Sequence, residues 1–314
     1  MSGVRYYTDL LEDVERLRGM RRSIETMVRP GDRVLEIGTG LGTFAFWAAE
    51  AGASEVVAVE RDPVVHLAES MAVAKGVGDS VTFLRGDFAE VDVSGPFDVL
   101  IFEDLGGLVL DPARARLMEA ALSLAGPDAR LIPSRVRCAA VPVTCPELGE
   151  RLVPPLASAT EFGLDAALLR DFLRHEALRT SVSPGHFIGA PSVGPEVGLS
   201  PIPTAGDLRI DGTWTVSAPV AVHAVVAWFD LEVAPGRWVS NGPDGEPQPW
   251  GQYAFPVDPP LQVQPDVELE VKIGPGGEAS TTPGPWRWTL RAGTETRAGD
   301  ELAGRPFGSD DLDG

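Results

Sequence analysis

An apolar run that ends in a glycine-rich turn constrains the fold of this chain more than any other feature. Residues 34–43 read Val-Leu-Glu-Ile-Gly-Thr-Gly-Leu-Gly-Thr, and a second apolar run at residues 56–59 ends in Glu60. This pattern predicts a strand, a tight nucleotide-binding turn, a helix and a second parallel strand. The alternate glycines are Gly38, Gly40 and Gly42. Because glycine has no Cβ atom, the backbone can approach a ligand closely at this turn.

The acidic residues around the turn favour a cationic ligand. A dinucleotide-binding turn requires glycine at position 43, where this chain has Thr43. Glu36, just before the glycines, repels a pyrophosphate but suits a positive charge. S-adenosylmethionine carries a sulfonium and an ammonium group, and Glu60 lies where an acid accepts both hydroxyls of a ribose. The turn therefore predicts S-adenosylmethionine binding, with a cofactor-free structural turn as the alternative.

Length and composition limit the class of protein. A chain of 314 residues with 44% hydrophobic and 7% aromatic residues is typical of one large or two ordinary globular domains. No apolar run is long enough to cross a bilayer and the N-terminus has no signal-peptide core, so we expect a cytoplasmic protein without membrane association. Cys138 and Cys145 are too few for a disulfide framework or a zinc site, and we expect two reduced thiols and no metal.

The net charge of −20 argues against general binding of nucleic acid, because phosphates would be repelled. The same charge is compatible with a basic substrate, although solubility alone also accounts for it.

Two kinds of pattern follow one another along the chain. Residues 5–29 have a helical pattern. Strand and helix patterns then alternate to about residue 130, which predicts a parallel sheet with right-handed crossovers. The predicted strands are Arg33–Ile37, 55–59, Val81–Arg85 and Phe97–Phe102, and the predicted helices are 43–51, 63–75 and 112–125. Pro127 and Pro133 are expected to mark the end of this unit.

After residue 135 the pattern becomes that of an antiparallel β domain. Strand-like segments separated by Pro/Gly-rich turns lie at 136–143, 220–232, 250–256 and 267–273. A helical stretch at 165–175 interrupts them. The acidic segment after residue 294 is poor in apolar residues, and we expect it to be a flexible tail.

This layout resembles that of the protein arginine methyltransferase family, and four short segments carry the resemblance. Residues 9–24 resemble the family's cofactor-covering helix, in which an arginine pairs with the cofactor carboxylate, and Arg16 holds that position. Glu36, Gly38 and Gly40 match the first cofactor motif, and Glu60 matches the ribose-binding acid. Residues 97–107 resemble the strand and loop that present the first of two substrate-gripping glutamates, which is Glu103 here.

The second half of the chain also resembles this family. Residues 162–171 resemble the start of the dimerisation arm, and residues 225–232 and 250–257 resemble strands of the β-barrel. The resemblance implies cofactor-covering helices at 1–29, a Rossmann-like α/β domain with a parallel-rich sheet at 30–134, and an antiparallel β-barrel-like domain at 135–293 with a helical arm near 160–180. It further implies a homodimer.

By this resemblance the chain is an S-adenosylmethionine-dependent N-methyltransferase, and its acceptor is a guanidino nitrogen of arginine in free, peptide or protein form. Methyl transfer from a sulfonium is an in-line displacement that requires an aligned nucleophile and exclusion of water. A guanidinium is a poor nucleophile because its charge is delocalised, and two carboxylates can orient one of its nitrogens. On the cofactor side, Asp87 is expected to accept from the adenine amino group and Phe88 to cover the ring.

The chain departs from the family at the substrate end. The second glutamate is expected nine residues after the first, where this chain has Pro112 preceded by Asp111. If the loop is one residue shorter, Asp111 replaces the missing glutamate. Asp111 equally suits the N-cap of a helix that starts at Pro112, and both roles can hold together.

A second departure concerns the family's Thr-His-Trp loop, which reads Gln-Pro-Trp at residues 248–250. The histidine that pairs with an acid of the N-terminal helix is absent, so Asp13 lacks that partner. The resemblance places Leu10, Asp13 and Trp250 on the substrate side. These departures leave two alternatives open, namely a small-molecule or natural-product methyltransferase acting on another amine, amide or hydroxyl, and a catalytically silent dimeric scaffold that binds the cofactor.

Overall fold

The computed structural model describes residues 4–105, 108–243, 250–276 and 284–301. The chain divides into two units. Unit 1 contains the described residues up to Val136 together with Val197–Ile202 and Asp230–Ser240. Unit 2 contains Arg137–Glu196, Pro203–Phe229 and the described residues from Asn241 onward. The predicted boundary at residues 134/135 therefore lies close to the main division, but two short segments of the second half belong to unit 1.

Unit 1 is built on a five-stranded parallel sheet with strand order β3-β2-β1-β4-β5. Strands β1 and β2 are buried along nearly their whole length, as expected of central strands in a parallel sheet. The predicted Rossmann-like sheet is confirmed. Its strands are β1 (Arg33–Ile37), β2 (Glu55–Glu60), β3 (Val81–Arg85), β4 (Phe97–Phe102) and β5 (Ala125–Ile132), and its helices are α1 (Val4–Leu11), α2 (Val14–Met27), α3 (Thr43–Glu50), α4 (Val65–Lys75) and α5 (Pro112–Leu122).

The helical region predicted for residues 5–29 consists of two helices, because Asp13 caps the N-terminus of α2 by accepting a hydrogen bond from the backbone N of Arg16 at 3.0 Å. One prediction for unit 1 is wrong in detail. Pro127 does not end the unit but lies inside β5, which is an edge strand where a missing N–H is tolerated.

The second half of the chain forms mainly antiparallel strands. One sheet has the order β10-β14-β15-β16, and a second has the order β7-β13-β11-β6-β8. The elements in chain order are β6 (Arg135–Val143), α6 (Pro146–Leu152), α7 (Ala157–Glu161), α8 (Ala166–Leu173), β7 (Leu178–Thr180), β8 (Ser192–Val193), β9 (Val197–Gly198), β10 (Ile210–Thr215), β11 (Val220–Ala234), β12 (Arg237–Ser240), β13 (Gln252–Val263), β14 (Glu268–Pro275), β15 (Trp286–Ala292) and β16 (Glu295–Asp300). The short strands β9 and β12 lie in unit 1.

The prediction of a flexible tail after residue 294 is wrong for Glu295–Asp300, because these residues form β16, which pairs with β15. The indole of Trp288 lies over Gly299 so closely that a side chain at that position has no room. Trp288 is 1% exposed and its Nε1 donates to the carbonyl of Pro256 at 2.9 Å. The helix predicted at residues 165–175 is confirmed as α8, and α6 and α7 precede it. Its role as a dimerisation arm stays a prediction. Among the described residues, no helix is long and apolar enough to span a membrane.

Candidate active site

The glycine turn joins β1 to α3 in unit 1. Gly38, Gly40 and Gly42 have φ angles of 79°, 53° and 80°, in the left-handed region that favours glycine. The backbone N atoms of Gly38 and Thr39 both donate to the carbonyl of Val59, at 2.9 and 3.1 Å. These bonds hold the turn against the end of β2. The turn therefore lies at the carboxyl ends of two parallel strands, where open α/β sheets bind their ligands.

Glu60 ends β2 and supports the turn. Its Oε2 accepts from the backbone N of Gly40 at 2.9 Å, and its Oε1 accepts from the backbone N of Asp62 at 2.8 Å. The residue is 7% exposed, and both bonds fix the plane of its carboxylate. Each carboxylate oxygen keeps a second acceptor position. Glu60 can therefore accept from two ribose hydroxyls, as predicted for the ribose-binding acid.

Glu36 is a buried carboxyl directly before the turn. It is 2% exposed, and its Oε2 accepts from the hydroxyl of Thr39 at 2.7 Å. The pKa of Glu36 is raised to about 8, chiefly by burial and less by the negative charges of Glu103 and Glu60, while the hydrogen bonds from Thr39 and the backbone of Ala45 oppose the change. A positive charge placed beside this group would favour its ionised form. Glu36 could thus bind a cationic ligand, and its role at the cofactor stays a prediction. Thr39 was not predicted from the sequence.

Helix α1 covers the turn through Tyr7, which the sequence reasoning also missed. A Cβ atom on Gly40 would lie 3.0 Å from the Tyr7 ring, so the glycine allows the ring to lie directly on the turn. Burial raises the pKa of the Tyr7 hydroxyl, and the charges of Glu60 and Asp62 add to this. The tyrosine is the amphipathic residue of α1 that could have indicated a contact with the turn.

Arg16 lies at the centre of the site and is 3% exposed. Its Nη1 donates to Oε1 of Glu103 at 2.7 Å, and its Nη2 donates to the carbonyl of Leu10 at 2.7 Å. Its guanidinium also lies 5.8 Å from the centre of the Phe44 ring. Arg16 was predicted to pair with a cofactor carboxylate. The structure joins it to Glu103, the predicted substrate-gripping glutamate.

Glu103 follows β4 and has an altered acidity. Burial raises its pKa, the charge of Arg16 and its hydrogen bond oppose that change, and the charges of Asp104 and Asp13 add to it. A carboxylate with a raised pKa is a stronger base than a solvated one. Glu103 therefore combines a position at a strand end with the capacity to bind a guanidinium and to accept a proton.

Asp13 lies beside Arg16 and is 5% exposed. Its Oδ1 accepts from the backbone N of Arg16, and its Oδ2 is 3.7 Å from Nε of Arg16. Burial raises the pKa of Asp13, against its backbone hydrogen bond and the charge of Arg16. The predicted partner loop falls partly on residues 248 and 249, which lie outside the described residues.

Asp111 caps α5, as one of its two predicted roles requires. Its Oδ1 accepts from the backbone N of Arg114 at 2.8 Å, and its Oδ2 accepts from Nη1 of Arg114 at 3.0 Å. Nη2 of the same arginine is 3.6 Å from Oδ2 of Asp104. The second role of Asp111, as a gripping carboxylate, stays a prediction. Arg114 was not singled out in the sequence.

Asp87 and Phe88 lie after β3. The carboxylate of Asp87 is exposed and accepts from the backbone N of Ala89 at 2.9 Å, and Phe88 is 9% exposed. Their predicted roles at the adenine stay predictions.

Trp250 belongs to unit 2, where the centre of its ring is 5.4 Å from that of Phe229. The substrate-side roles of Trp250 and of the Leu10 side chain also stay predictions.

The chain is similar in sequence to known methyltransferases. Residues 34–128 match the model of a family described as a methyltransferase domain. An arginine N(omega)-methyltransferase from Streptomyces achromogenes subsp. streptozoticus is 28% identical over 86% of this chain and 76% of that relative. The protein arginine N-methyltransferase PRMT10 of Oryza sativa subsp. japonica is 26% identical over 77% of this chain and 72% of that relative.

Two solved structures share the fold. The PRMT1 enzyme-prozyme heterotetrameric complex with AdoHcy from Trypanosoma brucei matches with a TM-score of 0.77 and 18% identity over 94% of this chain and 97% of that one. Protein arginine methyltransferase 10 of Arabidopsis thaliana matches with a TM-score of 0.74 and 18% identity over 96% and 98%.

The sheet, the glycine turn and the two acids Glu36 and Glu60 define an S-adenosylmethionine-dependent methyltransferase. Within that class, the relatives that the chain matches over most of its length are named arginine methyltransferases.

Proposed function

We propose that the chain transfers a methyl group from S-adenosylmethionine to a guanidino nitrogen of arginine, either free or within a peptide or protein. One observation carries the proposal. The carboxylate of Glu103, at the end of β4, already binds one guanidinium through a 2.7 Å charge-assisted hydrogen bond in a buried setting. The names of the relatives support the same acceptor, since they are called arginine methyltransferases.

The cofactor side of the reaction rests on the glycine turn. Glu60 would accept the ribose hydroxyls, and ionised Glu36 would lie close to the cationic groups. Tyr7 and α1 would cover the turn and exclude water, which strengthens every electrostatic interaction inside. When bound, S-adenosylmethionine supplies a methyl group on a sulfonium, and the in-line displacement breaks the S–C bond with the thioether of S-adenosylhomocysteine as the leaving group.

The acceptor side rests on Glu103. Its carboxylate would orient the acceptor guanidinium and direct one nitrogen towards the methyl group, and orientation of this kind supplies a large share of the rate enhancement. The charge of Arg16 and its hydrogen bond favour the ionised form of Glu103, against the effect of burial. The acceptor nitrogen loses a proton when the new N–C bond forms, and the raised pKa of Glu103 suits its carboxylate to receive that proton.

An acceptor comparison tests the proposal. We would measure release of S-adenosylhomocysteine with free arginine, an arginine-rich peptide and a lysine-rich peptide, each against a control without acceptor. Turnover with either arginine acceptor supports the proposal and identifies the size of the substrate. Turnover with the lysine-rich peptide alone, or cofactor binding without turnover on any acceptor, would contradict it and favour another acceptor group or a silent scaffold.

The proposal includes a homodimer formed through the arm. Helices α7 and α8 and their connection expose several large apolar side chains, and single chains rarely expose so many together. Phe162 is 79% exposed, Leu164 60% and Leu168 55%. Arg170 anchors the arm through bonds to the carbonyls of Val153 and Pro154. An anchored helix with an exposed apolar face fits a surface on a second copy of the chain.

A further inference from the structure

The loop between β4 and α5 contains its own guanidinium. Arg114 lies in the first turn of α5, and its Nη1 donates to Oδ2 of Asp111 at 3.0 Å. Its Nη2 is 3.6 Å from Oδ2 of Asp104, the residue that follows Glu103. A positively charged fork therefore lies between two carboxylates of the segment that presents Glu103. An acceptor arginine would bring the same chemical group to this segment.

The two oxygens of Asp111 have separable partners. Oδ1 accepts from the backbone N of Arg114, and this cap bond is fixed by the start of α5. Oδ2 is held only by the guanidinium in the part of the chain that the structure describes. If the side chain of Arg114 moves away, Asp111 keeps its cap and gains an oxygen free to bind another cation. Capping and gripping are thus compatible in one carboxylate.

The guanidinium of Arg114 is weakly held. Its side chain is 28% exposed and that of Asp111 is 33% exposed, and ion pairs with this degree of solvent access are weak. Its buried Nε has no hydrogen-bond partner within the described residues. Movement of the Arg114 guanidinium away from Asp111 therefore breaks one hydrogen bond, to Oδ2 of Asp111, and one longer contact, to Oδ2 of Asp104.

We propose that Arg114 is a specificity-determining residue that occupies the second acceptor carboxylate, Asp111, so that an acceptor guanidinium must displace it to be gripped by both Glu103 and Asp111. The proposal rests on the proposed function. It implies that the acceptor competes with Arg114 for Oδ2 of Asp111. Removal of that competitor strengthens acceptor binding, whereas removal of a purely structural residue would weaken it.

The test measures the KM for an arginine-rich peptide in R114Q, R114K and R116Q. Arg116 is exposed on the same helix and serves as the matched control. We expect R114Q to lower KM by about two- to fivefold, which corresponds to loss of a partly exposed ion pair. R114K keeps the charge and is expected to stay near the unmodified enzyme, as is R116Q. A KM that is unchanged or raised in R114Q, in a variant with an unaltered melting temperature, overturns the proposal.

A second variant keeps the result interpretable if R114Q loses stability. In the D111N background, residue 111 no longer carries a charge for which the acceptor and Arg114 compete, so D111N/R114Q should show the same KM as D111N alone. An equal decrease of KM in both backgrounds would overturn the proposal, because the effect would then not pass through Asp111. Absence of turnover by the unmodified enzyme with every arginine acceptor would overturn the proposed function and this inference with it.

Discussion

Arg16 and Glu103 are joined by a 2.7 Å ion pair across 87 positions of the chain. This pair connects α2 with the end of β4, where Glu103 is the proposed acceptor carboxylate. Since Asp13 also lies 3.7 Å from the same guanidinium, one arginine balances two carboxyl groups whose pKa values are raised by burial. Arg16 is therefore expected to act both in the stability of unit 1 and in the ionisation of Glu103.

Replacement of Arg16 by glutamine is expected to lower the free energy of unfolding by about 3 kcal/mol, because it leaves the carboxyl groups of Glu103 and Asp13 buried without their positive partner. R18Q is the matched control, since Arg18 forms an exposed pair with Glu15 in the same helix and should contribute less than about 1 kcal/mol. Denaturant unfolding of both variants measures the difference. Equal stability of R16Q and R18Q would contradict a buried pair at this position.

The pKa of Glu36 makes stability depend on pH. The pKa is about 8 in the folded chain against an ordinary value of 4.5, so between these values the folded state binds a proton that the unfolded state does not. The bound proton stabilises the folded state. This contribution to the free energy of unfolding is fully present below pH 4.5 and is lost as the pH rises through 8, with a slope of at most about 1.4 kcal/mol per pH unit. E36Q keeps the shape without the titration. We expect the stability of E36Q relative to the unmodified protein to increase between pH 5 and pH 8 in urea unfolding. A constant difference would show that Glu36 does not titrate in this range.

The arm is expected to control assembly. Replacement of the exposed Phe162 by serine removes a large apolar side chain from the proposed dimer surface, so it should shift the protein towards monomer in light scattering. V73S, at an exposed valine on α4 of unit 1, is the control and should leave the mass unchanged. A dimer that persists in F162S at low micromolar concentration, or a monomeric unmodified protein, would argue against assembly through the arm.

Much of unit 1 could be predicted from its sequence. The strands β1 to β4 are apolar runs bounded by charges, and the helices between them have the usual lengths, so the order of elements follows directly. The contact between Arg16 and Glu103 could not be predicted from spacing, because it is made by tertiary packing of distant segments. The resemblance assigned Arg16 to the cofactor carboxylate and Glu103 to the substrate, but it did not predict that the two residues pair with each other.

The strands in the second half of the chain were harder to predict from the sequence, and the physical reason differs between strands. β15 has a strict alternation of buried and exposed residues from Trp286 to Ala292, and this pattern was available in the sequence. β16 has only Gly299 buried among polar residues, because its inner position is filled by the indole of Trp288 from the neighbouring strand. No apolar pattern in Glu295–Asp300 could indicate that strand.

The central claim is that Glu103 binds the acceptor, and E103Q tests it most directly. Turnover with an arginine-rich peptide would be measured together with the affinity for S-adenosylhomocysteine by calorimetry, with E119Q, at an exposed position of α5, as the control. The account predicts that E103Q loses at least about a hundredfold in turnover, as expected for removal of an orienting charge, while its cofactor affinity stays within about tenfold. Turnover in E103Q equal to that of E119Q would contradict the claim.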